Sequence, residues 1–204
     1  MAQNKDLSFL KIFVIVLGGL CFLFAILNFS KNLFNLEFIL LIFISSFLAP
    51  RMMLNLPFSK SAIEFSEAFI FLAFLMMGGE AAIILASIQT SAGCFYLKNK
   101  GIVFKKYRII LNIALSSLIT SITYSLLILF STLTNIDYQS KQLPDLFTNL
   151  SFMAISHFFV GTIILSLIFP INPNLSKWEN WRKEYFTTSI THIIGAASAG
   201  LFYK

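Results

Sequence analysis

The chain has 204 residues, 57% of them hydrophobic and only 12% charged, with a formal net charge of +6 and a mean hydropathy of +0.82. An ordinary soluble domain carries about 25% charged residues, so a soluble globular fold is excluded and an integral membrane protein is expected. The positive charge does not point to nucleic acid, because lysines and arginines stand in short clusters between apolar runs, the pattern by which basic residues set membrane topology.

The apolar runs are continuous rather than alternating, which selects helices over strands, and backbone amides in hydrocarbon must be satisfied within their own segment. The expected fold is all-α, a polytopic transmembrane helical bundle of about seven spans forming one integral membrane domain over residues 1–204. The first span runs from about Phe9 to Phe29. Lys5 and Lys11 precede it as in a secretory signal, yet no small-x-small cleavage site follows Phe24 to Asn28, so it reads as uncleaved. A second, short run from about Leu36 to Ala49 stops at Pro50, which cannot continue a helix without losing a hydrogen bond. The link Pro50 to Ala62, with Arg51, Pro57 and Lys60, reads as an interfacial loop.

Ile63 to Tyr96 reads as spans three and four folded back on each other at Gly78-Gly79. Glycine ends a helix at little cost, and Glu80 complements the free amides that open the next one. Lys98 to Arg108 is the densest basic cluster. Spans five, six and seven follow at about Ile109 to Leu133, Asn149 to Phe169 and Thr187 to Tyr203. The segment before the last span carries Trp178, Trp181 and Tyr185, which suit the headgroup layer. In that span Gly195 with Ala199, and Ala196 with Gly200, form overlapping small-xxx-small pairs that permit close helix contact.

Counted over seven spans, most of the 15 Lys and Arg fall on one side. That asymmetry places the amino terminus and the Lys98 to Arg108 loop in the cytoplasm, with the carboxyl terminus outside, in a multi-pass protein of the cytoplasmic (inner) membrane. Cys21 and Cys94 lie inside apolar runs and read as buried small hydrophobes, with neither a disulfide nor a zinc pattern.

Ionisable groups at membrane depth are costly enough that each needs a partner or a role. Glu64 and Glu67 open span three, where they either cap the helix and pair with Lys60 or Arg51, or face a ligand. Asn112 and His192 lie at a similar depth to Glu67 from the cytoplasmic side. Glu67, Asn112 and His192 are therefore the candidate ligand-binding set, with helix-gluing hydrogen bonds as the alternative. Gln89 reads as glue between helices. Glu80 and His157 form a candidate outward-facing polar pair. Two histidines on different helices supply too few ligands for a metal site, so no metal and no cofactor are expected. No phosphate-cradling glycine loop, nucleophile elbow or zinc-protease helix is present, and the chain is not expected to be an enzyme.

A set of short motifs carries a family resemblance. Pro57 is followed by Glu64-Phe65-Ser66-Glu67-Ala68-Phe69, then by Gly78-Gly79-Glu80-Ala81-Ala82, then by Arg108 to Ser116. Trp181 and Phe186 precede Gly195-Ala196 and Ala199-Gly200. Over roughly Leu36 to Leu201 the chain resembles the multi-span membrane sensor region at the amino terminus of bacterial signalling proteins with an HD-type phosphohydrolase or a GGDEF diguanylate cyclase as output. The resemblance implies a membrane-embedded sensing or signal-relay module, with a signalling enzyme or another membrane protein as partner beside the lipid bilayer. That family continues into a further span and a cytoplasmic domain, whereas this chain ends at Lys204. The runner-up expectation is a substrate-binding membrane subunit of an energy-coupling-factor type uptake transporter, although Phe9 to Phe29 lacks most of the small-residue surface of such a subunit's first span.

Overall fold

The computed structural model describes residues 2–30, 34–51, 54–55, 62–63, 66–102, 105–168 and 177–204. Among them the helices run in order α1 (Ala2–Asn28), α2 (Leu36–Leu48), α3 (Ser66–Met77), α4 (Gly79–Asn99), α5 (Lys106–Thr134), α6 (Leu143–Ile168) and α7 (Lys177–Tyr203). The link between α2 and α3 is not only loop. It holds a two-stranded antiparallel ladder, β1 (Leu54–Asn55) with β2 (Ala62–Ile63), in the register Leu54 to Ile63 and Asn55 to Ala62. Pro57, Lys60, Glu64 and Phe65 lie outside the described residues.

The expectation of about seven spans does not stand. Among the described residues four helices are long and apolar enough to cross a membrane: α1 over Phe9–Asn28, α4, α5 and α6. The reason is length and composition. At 1.5 Å per residue the 12 residues of α3 extend about 18 Å and the 13 of α2 about 20 Å, short of a hydrocarbon core about 30 Å thick. Helix α7 has 27 residues, but its first turns carry Lys177, Glu179, Arg182, Lys183 and Glu184, and the uncharged remainder is diluted by Thr187, Thr188, Ser189, Thr191, His192 and Ser198. The seven-span charge count, and with it the cytoplasmic assignment of the amino terminus, falls away. Membrane contact itself is carried by the long helices, whose outer faces are apolar: in α1, Phe9, Leu20, Phe24 and Leu27 are exposed.

Helix α1 lies along α5 and α4, α5 packs against α4 and α6, and α7 lies along both α3 and α6. Close approach of α1 depends on Gly18, since a Cβ there would coincide with the backbone carbonyl of Ala114. The main core joins Phe71, Phe74 and Leu75 of α3 to Leu85 of α4, Leu127 of α5 and Met153 of α6. A second cluster, with Val14, Leu111, Leu115, Leu118 and Ile168, fills the far side of the bundle. Between α4 and α5 the buried hydroxyls of Ser87 and Ser117 hydrogen-bond at 2.8 Å, and Ser116 donates to the Ala86 carbonyl at 3.2 Å.

Helices α3 and α4 meet at Gly78, whose φ of +90° is a conformation that side chains rarely tolerate. The Tyr124 ring fills the place of a Cβ on Gly79, and the Tyr138 hydroxyl approaches Gly78. At this same end the Tyr203 hydroxyl donates to the Gln139 carbonyl at 2.6 Å, tying the last turn of α7 to the α5–α6 connection. The end of α3 therefore lies beside the α5–α6 connection, and its first turn lies level with His157 near the middle of α6.

Candidate metal centre

Glu67 stands in the first turn of α3, His157 near the middle of α6, and His192 on α7. They meet because α7 approaches α3 with no side chain between them. A Cβ on Gly195 would stand 2.8 Å from Glu67 Cβ and 3.1 Å from the Ala68 amide nitrogen. His192 precedes Gly195 by three positions, so both lie on the same helix face. Seating Gly195 against Glu67 therefore carries the imidazole of His192 into the α3–α6 seam.

The resulting cluster is compact. His157 Nδ1 lies 3.2 Å from His192 Nε2 and 3.3 Å from Glu67 Oε2. The three potential ligand atoms all fall within 4.8 Å of one another. Both histidines are buried, and the Glu67 side chain is 18% exposed. Phe71 presents its ring edge-on to His157, with centroids 5.7 Å apart at 90°, and Phe158 meets His192 at 5.7 Å and 78°. These rings restrict both imidazoles to one orientation.

The protonation of His192 follows from its partners. Its Nδ1 lies 2.9 Å from the Thr188 carbonyl, which only accepts, so Nδ1 carries the proton. Nε2 then carries the lone pair, which accepts a hydrogen bond from His157 Nδ1 at 3.2 Å. This is the arrangement of a metal-ligating histidine, whose second nitrogen donates to a carbonyl or carboxylate and so fixes ring and tautomer. On the other side of the cluster, Glu67 Oε2 and His157 Nε2 are buried without a hydrogen-bond partner among the described residues. The close approach of Glu67 Oε2 to His157 Nδ1 is thus a proximity of two potential ligand atoms rather than a directed hydrogen bond.

The donor set suits a divalent ion. Ligands held about 2.0–2.1 Å from a tetrahedral zinc lie about 3.3–3.4 Å from each other; two of the three separations, 3.2 and 3.3 Å, are close to that spacing, and the third, between His192 and Glu67, is longer and within 4.8 Å. Two histidines and one carboxylate leave a coordination position open, as in catalytic rather than structural zinc sites. That position has room: Glu67 and His157 line a cavity of about 340 Å³ that extends between α3, α4 and α5 to Gln89, Cys94, Asn112 and Ser116.

The residues singled out from the sequence are distributed differently from expectation. Glu67 and His192 do come together, but their third partner is His157. Asn112 lines the adjoining cavity, where its Nδ2 lies 3.7 Å from Cys94 Sγ, a weak acceptor. His157 does not pair with Glu80, which lines a separate, apolar cavity with Tyr124, Phe24 and Leu27. Gln89 does not act as glue: it is 5% exposed and neither amide atom has a hydrogen-bond partner among the described residues. In α7, Ala196 and Ala199 are buried in the main core, and Gly200 faces Leu150 of α6. The side chains of Trp178, Trp181 and Tyr185 lie outside what is described.

Depth counting missed the triad because it assigns a residue a height and not a direction. Starting span six at Asn149 puts His157 toward the outside. Helix α6 begins at Leu143, which moves His157 to the middle of the helix, and Glu67 in the first turn of α3 meets it there. One signal was present: a glycine three positions after a histidine in an apolar helix marks the face on which that histidine can approach a neighbouring backbone.

Three expectations are corrected by this cluster. The part-buried Glu67 and the buried His157 and His192 form a ligand set that could hold a metal ion. It is at odds with a purely non-catalytic sensor region, with a relay or uptake subunit lacking chemistry of its own, and with the absence of enzymatic function. Comparison with known protein families, curated proteins and solved structures finds no match to this chain.

Proposed function

We propose that this protein is a membrane-embedded, metal-dependent hydrolase whose centre is a divalent ion held by Glu67, His157 and His192. The observation that carries the reading is the convergence of these three side chains, with a fixed tautomer at His192 and an unpartnered carboxylate oxygen at Glu67. A bound divalent ion lowers the pKa of a coordinated water to about 7, which supplies hydroxide at neutral pH. Held by Glu67, His157 and His192, such an ion would supply hydroxide able to add to a carbonyl carbon, the leaving group departing with the proton released from the water. The cavity beside Glu67 and His157 is where the reacting carbonyl would lie. The partner of the outer surface is a lipid bilayer, and nothing in the charge pattern calls for nucleic acid.

The test is metal analysis of the full chain purified in detergent, with His157→Ala, His192→Ala and Glu67→Gln beside it. The expected result is near-equimolar zinc, or Co²⁺ with a tetrahedral visible spectrum after exchange. Each variant should lose affinity by more than about 100-fold, beyond what loss of an outer-shell partner costs. Metal content that is negligible, or unchanged in all three variants, would refute the assignment. Retention of iron instead would turn the same ligands toward oxygen chemistry.

A further inference from the structure

The charged residues of the bundle are sorted between its two ends. Lys98 and Lys100 close α4, Lys105, Lys106 and Arg108 open α5, and Arg51 stands three residues beyond α2, beside Tyr96 of α4. Glu80, Asp137 and Asp145 lie at the opposite end, at the α3–α4 turn and the α5–α6 connection, and Glu37 opens α2 at the end far from Arg51. Among the described residues none of the cations at the basic end is paired with a carboxylate.

Within that end, Arg51 and Lys100 converge on one ring. Lys100 Nζ is 5.3 Å from the centroid of Tyr96, and Arg51 Cζ is 5.4 Å from it and 3.8 Å from the centroid of Phe47. Both cations are exposed. Two like charges set against one aromatic side chain repel each other, and an anion between them offsets that repulsion. Beyond Arg51 the outer face of α2 is apolar: Phe47 stacks on Phe43 with centroids 5.8 Å apart, and Leu40 and Leu36 continue the exposed row at helical spacing. Helix α2 packs on α4, a helix able to span, so this row faces the bilayer. A row with cations at one end and aromatic and aliphatic side chains along the rest complements an amphiphile with an anionic head. Free phosphate would leave the apolar row unused. A zwitterionic lipid brings an ammonium group for which this end offers no carboxylate among the described residues.

We propose that Arg51, Lys100 and the outer face of α2 form a binding site for an anionic phospholipid. Its phosphate lies between the guanidinium, which can meet two oxygens at once, and the Lys100 ammonium. An acyl chain runs along Phe47, Phe43 and Leu40. The site is separate from the Glu67, His157 and His192 cluster and does not depend on it.

The test offers the full chain in detergent equal amounts of dioleoyl phosphatidylglycerol and dioleoyl phosphatidylethanolamine and counts bound lipid by native mass spectrometry. Wild-type protein is expected to retain phosphatidylglycerol by about tenfold or more, since each Lys or Arg near an anionic headgroup contributes about fivefold. The double variant Arg51→Gln with Lys100→Gln should abolish that preference, and Phe43→Ala should weaken phosphatidylglycerol retention. Lys141→Gln, which removes a cation facing Tyr203 at the opposite end, should change nothing. Equal retention of the two lipids by wild-type protein overturns the proposal without any variant. A preference that survives the double variant, or falls as much in Lys141→Gln, belongs to net charge and overturns the site. Displacement of the lipid by millimolar inorganic phosphate, or retention indifferent to Phe43→Ala, means that phosphate alone is recognised and overturns the lipid assignment.

Discussion

Gly195 and Glu67 occupy one another's space: a Cβ added to Gly195 would lie 2.8 Å from that of Glu67 and 3.2 Å from its carbonyl carbon. The position of His192, three residues earlier, depends on that contact. An α3 first turn held this tightly also fixes where the Glu67 carboxylate starts. The small residue in α7 is thus coupled to the geometry of the centre, not only to helix association.

Gly195→Ala is expected to push α7 away from α3, because the obstructing atoms include the Ala68 amide at 3.1 Å, which is backbone and cannot rotate aside. Overpacking of this kind costs about 1–3 kcal/mol, and Co²⁺ affinity should fall by about 10-fold or more as the ligands part. Gly200→Ala is the comparison. Its Cβ meets only the tip of Leu150, Cδ1 at 2.7 Å, which can turn away, so metal affinity should stay close to that of the unaltered protein. Equal effects of the two substitutions would break the link between Gly195 and the centre.

At the other end of the bundle, Gly18→Ala should be far more damaging than Gly19→Ala. The Cβ of the first would collide with the Ala114 carbonyl, while that of the second meets nothing within 4 Å. The two differ by one position and share propensity effects, so their difference in unfolding temperature reports the α1–α5 contact alone. A gap of more than about 1 kcal/mol is expected; indistinguishable variants would mean that α1 does not dock on α5.

The Ser87–Ser117 hydrogen bond spans α4 and α5 at 2.8 Å while each hydroxyl lies near its own helix, at 2.7 Å from the Ile83 carbonyl and 2.9 Å from the Ile113 carbonyl. Because each serine keeps a second partner, the interhelical bond should be modest. A double-mutant cycle with Ser87→Ala and Ser117→Ala is expected to give a coupling of about 0.6 kcal/mol, the usual scale for polar pairs between membrane helices. Strict additivity in detergent unfolding would argue that the two helices are held by packing only.

Tyr138, in the connection between α5 and α6, has its phenol pushed well above the ordinary tyrosine range, first by burial and then by Tyr124, Glu80 and Asp137. Its folded pKa is raised, so the neutral form contributes stability that is fully present below the unfolded value of about 10 and is lost as pH climbs above it. The unfolding temperature should therefore drop steeply on the alkaline side of pH 10, and Tyr138→Phe should flatten that drop. A drop of the same size in the variant would assign it to other groups.

The sequence by itself determined that this is a helical protein in contact with a membrane, since continuous apolar runs and sparse charge leave backbone amides no other way to be satisfied. It also marked Glu67 and His192 as residues in need of partners, and Gly78-Gly79 as a helix boundary, because these follow from local chemistry. It could not supply the number of helices able to cross. That depended on where helices start and stop: α3 runs only from Ser66 to Met77, and α7 is charged in its first turns and polar beyond them. Nor could it pair His157 with Glu67 and His192. Such juxtapositions depend on the rotation of each helix about its own axis, which is settled when Gly195 seats against α3 and Gly18 against α5. A sequence lists side chains along an axis; only packing decides which of them face one another.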